Sequence, residues 1–231
     1  MKKSIILISS GLDSLVSLAK SIKETDVKLA ITFDYGQRAA KKEIESAKKI
    51  SDYYSIKHQV INLNWLKEIT KTALVDRSKD IPKLEQEDLD NILGVTLQSA
   101  QQVWVPNRNA IFINIGAAFA ESLDCDFIIT GQNAEEGITF PDNTPQFIEL
   151  INKTLEYSTL RQPKVISYVQ NLNKIEIFKL GIDLNVPFKY LWSCYQDTEL
   201  HCGECESCQR LIRAGKSCNR WDLIKDIFIK K

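Results

Sequence analysis

Cys194, Cys202, Cys205 and Cys208 fall within one short stretch, spaced C-x7-C-x2-C-x2-C. Four thiolates at that spacing suit a closed, tetrahedral, structural Zn²⁺ site. In a reducing compartment such a cluster reads as metal-binding before it reads as a set of disulfides. The rival is an iron–sulfur cluster, because C-x2-C-x2-C also opens ferredoxin runs. Those runs continue with another cysteine and a proline, in the region where this chain has Leu211-Ile212. Zinc is the expectation. His201 could stand in for one thiolate. Cys125, at a strand start, reads as an apolar filler, and Cys218 lies outside the spacing.

The second constellation is Ser9-Ser10-Gly11-Leu12-Asp13-Ser14, between a buried-looking apolar run and apolar residues at helical spacing (Leu12, Leu15, Val16, Leu18, Ala19). A strand-to-helix turn aims free N–H groups and the helix dipole at whatever lies above it, and phosphates are the usual guests. The Walker lysine is missing, and so is G-x-G-x-x-G. The plainer alternative is an ordinary N-cap by Ser10 or Asp13. Three further clusters carry polar chemistry. Asp34-Tyr35-Gly36-Gln37-Arg38 ends an apolar run, where Asp and Gly would also serve a simple turn. In Val105-Pro106-Asn107-Arg108-Asn109, Pro106 holds the chain extended and Asn107 or Asn109 can cap the helix that follows. Arg108 opposes the dipole of that helix, and a cation placed against the local rule points to a phosphate or carboxylate ligand, with an exposed arginine as the alternative. Gly131-Gln132-Asn133-Ala134-Glu135-Glu136 and Phe140-Pro141-Asp142-Asn143 bring carboxylates and amides that suit the edge of a purine-like ring, or a solvated loop.

These clusters need a frame that brings them together. Strands are expected at 4–8, 27–33, 57–63, 126–130 and 164–169, and helices from Leu12, over 38–54, 106–123 and 147–157. Alternating strands and helices imply a doubly wound, five-stranded parallel sheet with helices on both faces, an α/β fold. Ligands of such sheets bind at the carboxyl ends of the strands, at the switch point in strand order. The polar tract 72–102 reads as a flap over the site or as a disordered stretch. The pattern changes after position 186. Residues 1–186 are expected to form the α/β domain and 187–231 a C-terminal helical zinc-binding region.

The chain has 231 residues, 30 basic and 30 acidic, with 44% hydrophobic residues. That size supports one domain, or one domain with a small appendage. Balanced charge argues against a dedicated nucleic-acid binder. No apolar run is long enough to span a membrane, and the chain enters its first strand directly, without a leader, so a cytoplasmic protein is expected.

Taken together, SSGLDS, FDYGQR, VPNRN, the G-x-N-x-E-E…PDN loop, LNKIEI at 172–177 and WSCY…HCGECESC at 192–208 resemble the 7-cyano-7-deazaguanine synthases, a family of PP-loop ATP pyrophosphatases. The likeness runs over nearly the whole chain. SSGLDS is shared by many ATP pyrophosphatases, whereas WSCY followed by C-x2-C-x2-C is specific. Two positions depart from the usual pattern: Ser10 stands for a second glycine, and Thr144 for an arginine after the PDN-like triplet. The resemblance implies an adenine-nucleotide α-hydrolase-like fold. It implies an ATP-driven ligase that adenylates 7-carboxy-7-deazaguanine, adds ammonia to give the amide, then activates the amide again and dehydrates it to the nitrile, releasing AMP and pyrophosphate. ATP with Mg²⁺ would lie on Ile8, Ser9, Ser10, Gly11, Leu12, Asp13, Ser14, Leu15, Val16, Ser17 and Leu18. Asp13, Ser14 and Arg108 would be catalytic. Tyr35, Gln37, Arg108, Asn133, Glu136, Phe140 and Asp142 would meet the substrate. The family also implies a homodimer, with no membrane or direct nucleic-acid partner. Two other readings stand beside it: a related pyrophosphatase that modifies tRNA, and a non-enzymatic zinc-ribbon module with a degenerate nucleotide-binding half.

Overall fold

Short apolar runs rich in Ile and Val make the strands: β1 Lys3–Leu7, β2 Asp26–Asp34, β3 His58–Asn62, β4 Phe127–Thr130 and β5 Lys164–Ser167. Each lies within two residues of the sequence reading. A computed structural model describes residues 1–229 and sets these strands in one parallel sheet of order β3-β2-β1-β4-β5. The helices are α1 Leu12–Glu24, α2 Ala40–Tyr53, α3 Asn64–Ile69, α4 Leu97–Val103, α5 Arg108–Ser122, α6 Pro145–Ser158, α7 Lys174–Asp183 and α8 Glu206–Ser217.

Strand alternation sorts the core into two layers. Ile6, Ala30 and Ile129 face Leu15 and Leu18 of α1, Ile50 of α2, Phe178 of α7 and Leu211 of α8. Ile5, Ile31 and Ile128 face Ile113 and Ala117 of α5 and Leu155 of α6. Phe178 is fully buried with its ring centroid 4.7 Å from that of Phe188. Truncating it to alanine would cost about 3–5 kcal/mol. The first layer continues past position 186 through Phe188, Leu191, Trp192, Ile224 and Phe228.

The tract 72–102 is structured, which removes the disordered alternative. It buries Leu74, Val75, Ile81, Leu84 and Leu89, and it leans on the C-terminal region. Leu84 N–H donates to Glu204 O at 2.9 Å, and Ser99 Oγ donates to Glu206 Oε2 at 2.5 Å. Its apolar residues follow neither period, which is why no pattern announced them. Among the described residues no helix is long and apolar enough to cross a membrane.

The sheet order reverses between β1 and β4: from β1 the chain moves outward to β2 and β3, then returns to the other side of β1. The crevice of a doubly wound sheet opens at such a point, above the carboxyl ends of the two strands. Residues 8–14 and 131–143 leave the sheet there. Gly131 permits their close approach, since a Cβ on it would meet Ser14 N at 3.1 Å.

Candidate active site

Helix α1 begins on a loop whose side chains do not satisfy it. Gly11 occupies the N-cap position and makes no side-chain cap bond, so the first N–H groups of α1 stay available to an anion. Ser9 Oγ and Ser14 Oγ are 3.3 Å apart across the turn. Ser10 is buried with φ +64°, a left-handed conformation that glycine adopts freely, which accounts for the glycine usual at this place. Its strain is offset by stitching: Ser10 Oγ donates to Ser9 O at 2.5 Å and Trp192 O at 3.3 Å, and Trp192 N–H donates to Ser10 O at 3.0 Å.

Asp13 sits in the first turn of α1, ion-paired to Lys174 through Oδ2, while its buried Oδ1 has no partner among the described residues. Burial pushes its carboxyl up to about 6, against the pull of Lys174. An orphaned carboxylate oxygen beside a phosphate loop fits Mg²⁺, a hard cation with oxygen ligands. Lys174 also reaches Glu136 Oε1 at 2.6 Å. It is the first residue of α7, whose start is fixed by a capping box: Asn173 Oδ1 accepts from Glu176 N–H at 3.0 Å, and Glu176 Oε2 accepts from Asn173 N–H at 2.8 Å. A rigid cap thus delivers a lysine over the phosphate loop.

At the other end of the crevice, Arg108 Nη1 donates to Tyr35 Oη at 3.3 Å. Phe33 and Phe112 stack at 4.0 Å with an 11° interplanar angle, and Trp104 and Phe140 stack at 6.1 Å and 12°. One cavity of about 250 Å³ joins both ends, and it is lined by Ser9, Gly11, Asp13, Ser14, Phe33, Tyr35, Glu43, Arg108, Phe112, Gln132, Glu136, Phe140, Lys174, Trp192, Tyr195, Glu206 and Arg210, among others. Flat aromatic faces suit a purine ring, and the buried Oε1 of Gln132, without a partner among the described residues, offers an acceptor. Four carboxylates line the cavity. Asp13 and Glu136 pair with Lys174, and Glu206 pairs with Arg210 at 2.8 Å. Glu43 has no ion pair among the described residues.

The four expected metal ligands converge. The sulfurs of Cys194, Cys202, Cys205 and Cys208 all lie within 4.8 Å of one another, and Cys202 Sγ is 3.8 Å from Cys208 Sγ. Ligands about 2.3 Å from a tetrahedral zinc stand about 3.8 Å apart, so the geometry fits one ion and is too tight for a polynuclear cluster. Main-chain N–H groups of Gln196 and Cys205 point at the sulfurs of Cys194 and Cys202, at 3.3 and 3.4 Å. His201 is not needed as a ligand: its Nε2 accepts from Ser193 N–H at 2.9 Å, and its ring packs on Trp192 and Phe228. Cys205 is the N-cap of α8, and Cys208 lies in its first turn. From that helix Glu206 and Arg210 reach the cavity, where Arg210 also pairs with Glu135.

Of the residues singled out from the sequence, Ile8, Ser9, Gly11, Leu12, Asp13, Ser14, Tyr35, Arg108, Glu136 and Phe140 line this cavity. Leu15, Val16, Ser17 and Leu18 are buried on α1, below it. Gln37 is spent internally: its Oε1 accepts from Tyr35 N–H at 3.0 Å, and its Nε2 donates to Phe33 O and Glu43 Oε2 at 3.0 and 2.9 Å. Asn133 is buried and receives Glu136 N–H at 2.9 Å, shaping its loop. Asp142 receives Asn109 Nδ2–H on its carbonyl at 3.3 Å, tying that loop to the start of α5. Asn107 stands at the N-cap of α5 with φ +55° but makes no side-chain cap bond, and Asn109 does not cap either. Thr144 caps α6, accepting Phe147 N–H at 3.2 Å. Lys174, Glu43, Trp192, Tyr195, Glu206 and Arg210 were not singled out as site residues. Lys174 carried the same signal as Arg108, a cation in the first turn of a helix; the rest reach the cavity only through the tertiary fold.

A family model described as queuosine biosynthesis protein QueC matches residues 3–218. A 7-cyano-7-deazaguanine synthase of Pelotomaculum thermopropionicum is 52% identical over 215 residues, covering 93% of this chain and 97% of its own. One from Methanosarcina barkeri is 43% identical over 231 residues, covering 99% and 98%. Among solved structures, a 4-thiouridine synthetase in an RNA complex with bound ATP superposes with TM-score 0.51 at 18% identity, over 98% of this chain and 51% of that one, a likeness of fold.

Proposed function

The chain belongs to the QueC family, and from that membership we propose that it is an ATP-dependent ligase converting 7-carboxy-7-deazaguanine and ammonia to 7-cyano-7-deazaguanine, with AMP and pyrophosphate as co-products. The observation that carries this reading is the single cavity joining an uncapped phosphate loop at Asp13 to the Arg108–Tyr35 pair and its aromatic walls. A carboxylate is a poor electrophile because its leaving group would be oxide, and attaching AMP supplies a good one. The N–H groups opening α1 and the ammonium of Lys174 receive the departing pyrophosphate, as preorganised donors at the place where charge develops. Mg²⁺ on Asp13, when bound, neutralises the β,γ-phosphates. Arg108 orients the substrate carboxylate toward the α-phosphate, and Phe33, Phe112 and Phe140 offer their faces to the purine-like rings.

Residues 187–231 are read as the zinc-binding region, whose metal staples α8 and its cavity residues to the sheet domain of residues 1–186. A homodimer fits the family, and Leu150, Tyr157 and Leu160, exposed along and just beyond α6, offer an apolar surface for it. The test is direct: incubate the protein with 7-carboxy-7-deazaguanine, ammonium and ATP. The expected outcome is the nitrile by mass and two AMP per nitrile by chromatography; ADP as the main nucleotide product would overturn the reading.

A further inference from the structure

Glu43 and Arg108 line one cavity and do not pair with each other. Arg108 is held by the neutral phenol of Tyr35, so its charge stays available for an anion. Glu43 has one oxygen, Oε2, fixed by Gln37 Nε2 at 2.9 Å, and its Oε1 takes no bond from the described residues. Gln37 is itself clamped by Phe33 O and Tyr35 N–H, so the carboxylate is aimed rather than loose. The other three cavity carboxylates have cationic partners within the protein. A carboxylate taken from water without a cation is costly, so it holds a proton or takes a partner, and here a cationic ligand in the cavity would supply the missing charge.

The reading given above requires such a ligand. Its nitrogen donor is ammonium at neutral pH, a small cation with no lone pair to attack with until it loses a proton. We propose that Glu43 is the seat of the amine substrate: its free oxygen holds ammonium beside the carboxylate bound by Arg108 and takes its first proton. The freed lone pair attacks the adenylated carbonyl carbon and the C–N bond forms. The bond from that carbon to the AMP oxygen breaks as its electron pair leaves with AMP. The second proton is lost from the new nitrogen to water, and Glu43 returns its own proton to water. Acyl-adenylate plus ammonium thus gives amide, AMP and two protons, with nothing oxidised or reduced.

The electrostatics of the position agree. Burial pushes the Glu43 carboxyl up to about 7, against the hydrogen bond from Gln37 and the charge of Arg108, with Asp34 adding to the rise. Tyr35 faces it as a neutral phenol, its own value pushed up to about 12, first by burial. A base poised near the working pH is the efficient one.

The inference rests on the ligase reading, and the experiment separates the two. Steady-state rates of wild type and Glu43→Gln are compared with ammonium and with hydroxylamine, an amine that is neutral at pH 7 and needs no base. The expected result is a loss of about 100-fold or more in kcat/KM for ammonium, a typical worth for a positioned base, and only a few-fold for hydroxylamine. Equal losses for both amines, or no loss, overturn the assignment. Should the variant fail to fold, the wild type decides. Its kcat/KM for total ammonium levels off near pH 7 if Glu43 is the base, and keeps climbing to the range where free amines titrate if it is not. A wild type that makes no nitrile fails the ligase reading, and the Glu43 assignment with it; an active wild type with an indifferent Glu43→Gln fails Glu43 alone.

Discussion

The ammonium of Lys174 is ion-paired to the carboxylate of Asp13 across 161 residues of chain. The pair bridges the first turns of α1 and α7, so the phosphate loop and the helix that follows the last strand are held by one contact, and Glu136 joins it from the loop after β4.

Replacing Lys174 by Met leaves Asp13 and Glu136 buried without their cation. The expected cost is about 3–5 kcal/mol of stability, as for breaking a buried ion pair. Adding Glu136→Gln to Lys174→Met should return part of that stability and none of the turnover, because the pyrophosphate still lacks its cation. Denaturant midpoints and AMP release, measured on both variants, check the two halves.

Freshly purified protein should carry one zinc per chain by elemental analysis. Cys205→Ser, or prolonged chelation, should lower the melting temperature by about 10 °C or more, since structural zinc contributes folding energy outright. Nucleotide binding should fall with it, because Glu206 and Arg210 ride on the helix that Cys205 caps. Iron in place of zinc, or a metal-free protein of unchanged stability, would contradict this.

Arg108→Ala should cut kcat/KM by about 100-fold or more while moving the melting temperature by a few degrees at most, because a cation at a helix start works against the dipole. Arg108→Lys should not restore activity, since a lysine cannot make a bidentate grip on a carboxylate.

Glu43 makes the folded state bind a proton more tightly than the unfolded chain, where a glutamate titrates at about 4.3. Its folded value is about 7. Its contribution to stability is therefore full below about pH 4 and is lost as pH rises toward 7. Glu43→Gln should gain about 1–3 kcal/mol over the wild type at pH 8 and nothing at pH 4. Denaturation midpoints taken along that pH series read the difference directly.

Ser10→Gly removes a left-handed serine worth about 1 kcal/mol of strain and forfeits the bond to Trp192 O, so its net effect should be near zero. Ser10→Ala keeps the strain and loses the bonds, and should destabilise by about 1 kcal/mol or more. The order of the two midpoints is the test.

The sheet was legible because each strand is a compact apolar run between turn residues, and a buried parallel strand needs little else. The zinc ligands and the phosphate loop were legible because their chemistry is local: spacing alone brings Cys202, Cys205 and Cys208 together, and Gly11-Leu12-Asp13 opens a helix by itself. Glu43 was not legible. On α2 it reads as one more solvated charge among Lys41, Lys42 and Glu45, and only the crossing of α2 over the end of β2 turns it inward. The strut of 72–102 failed for the same reason, its partners lying on α8. Gln37 shows the converse: it sits in a motif that spells a site and spends its side chain holding the wall in place, whereas Asn133 gives its Oδ1 to Glu136 N–H and keeps a buried Nδ2 without a partner among the described residues.

The cavity takes one wall from residues 7–14 and another from residues 192–210. A ribosome making this chain therefore completes the nucleotide loop well before the wall that encloses it. Until α7 is made, that loop holds Asp13 without Lys174. A growing chain cannot enclose ATP in this cavity until α8 has emerged, so the capacity to spend nucleotide waits on that helix.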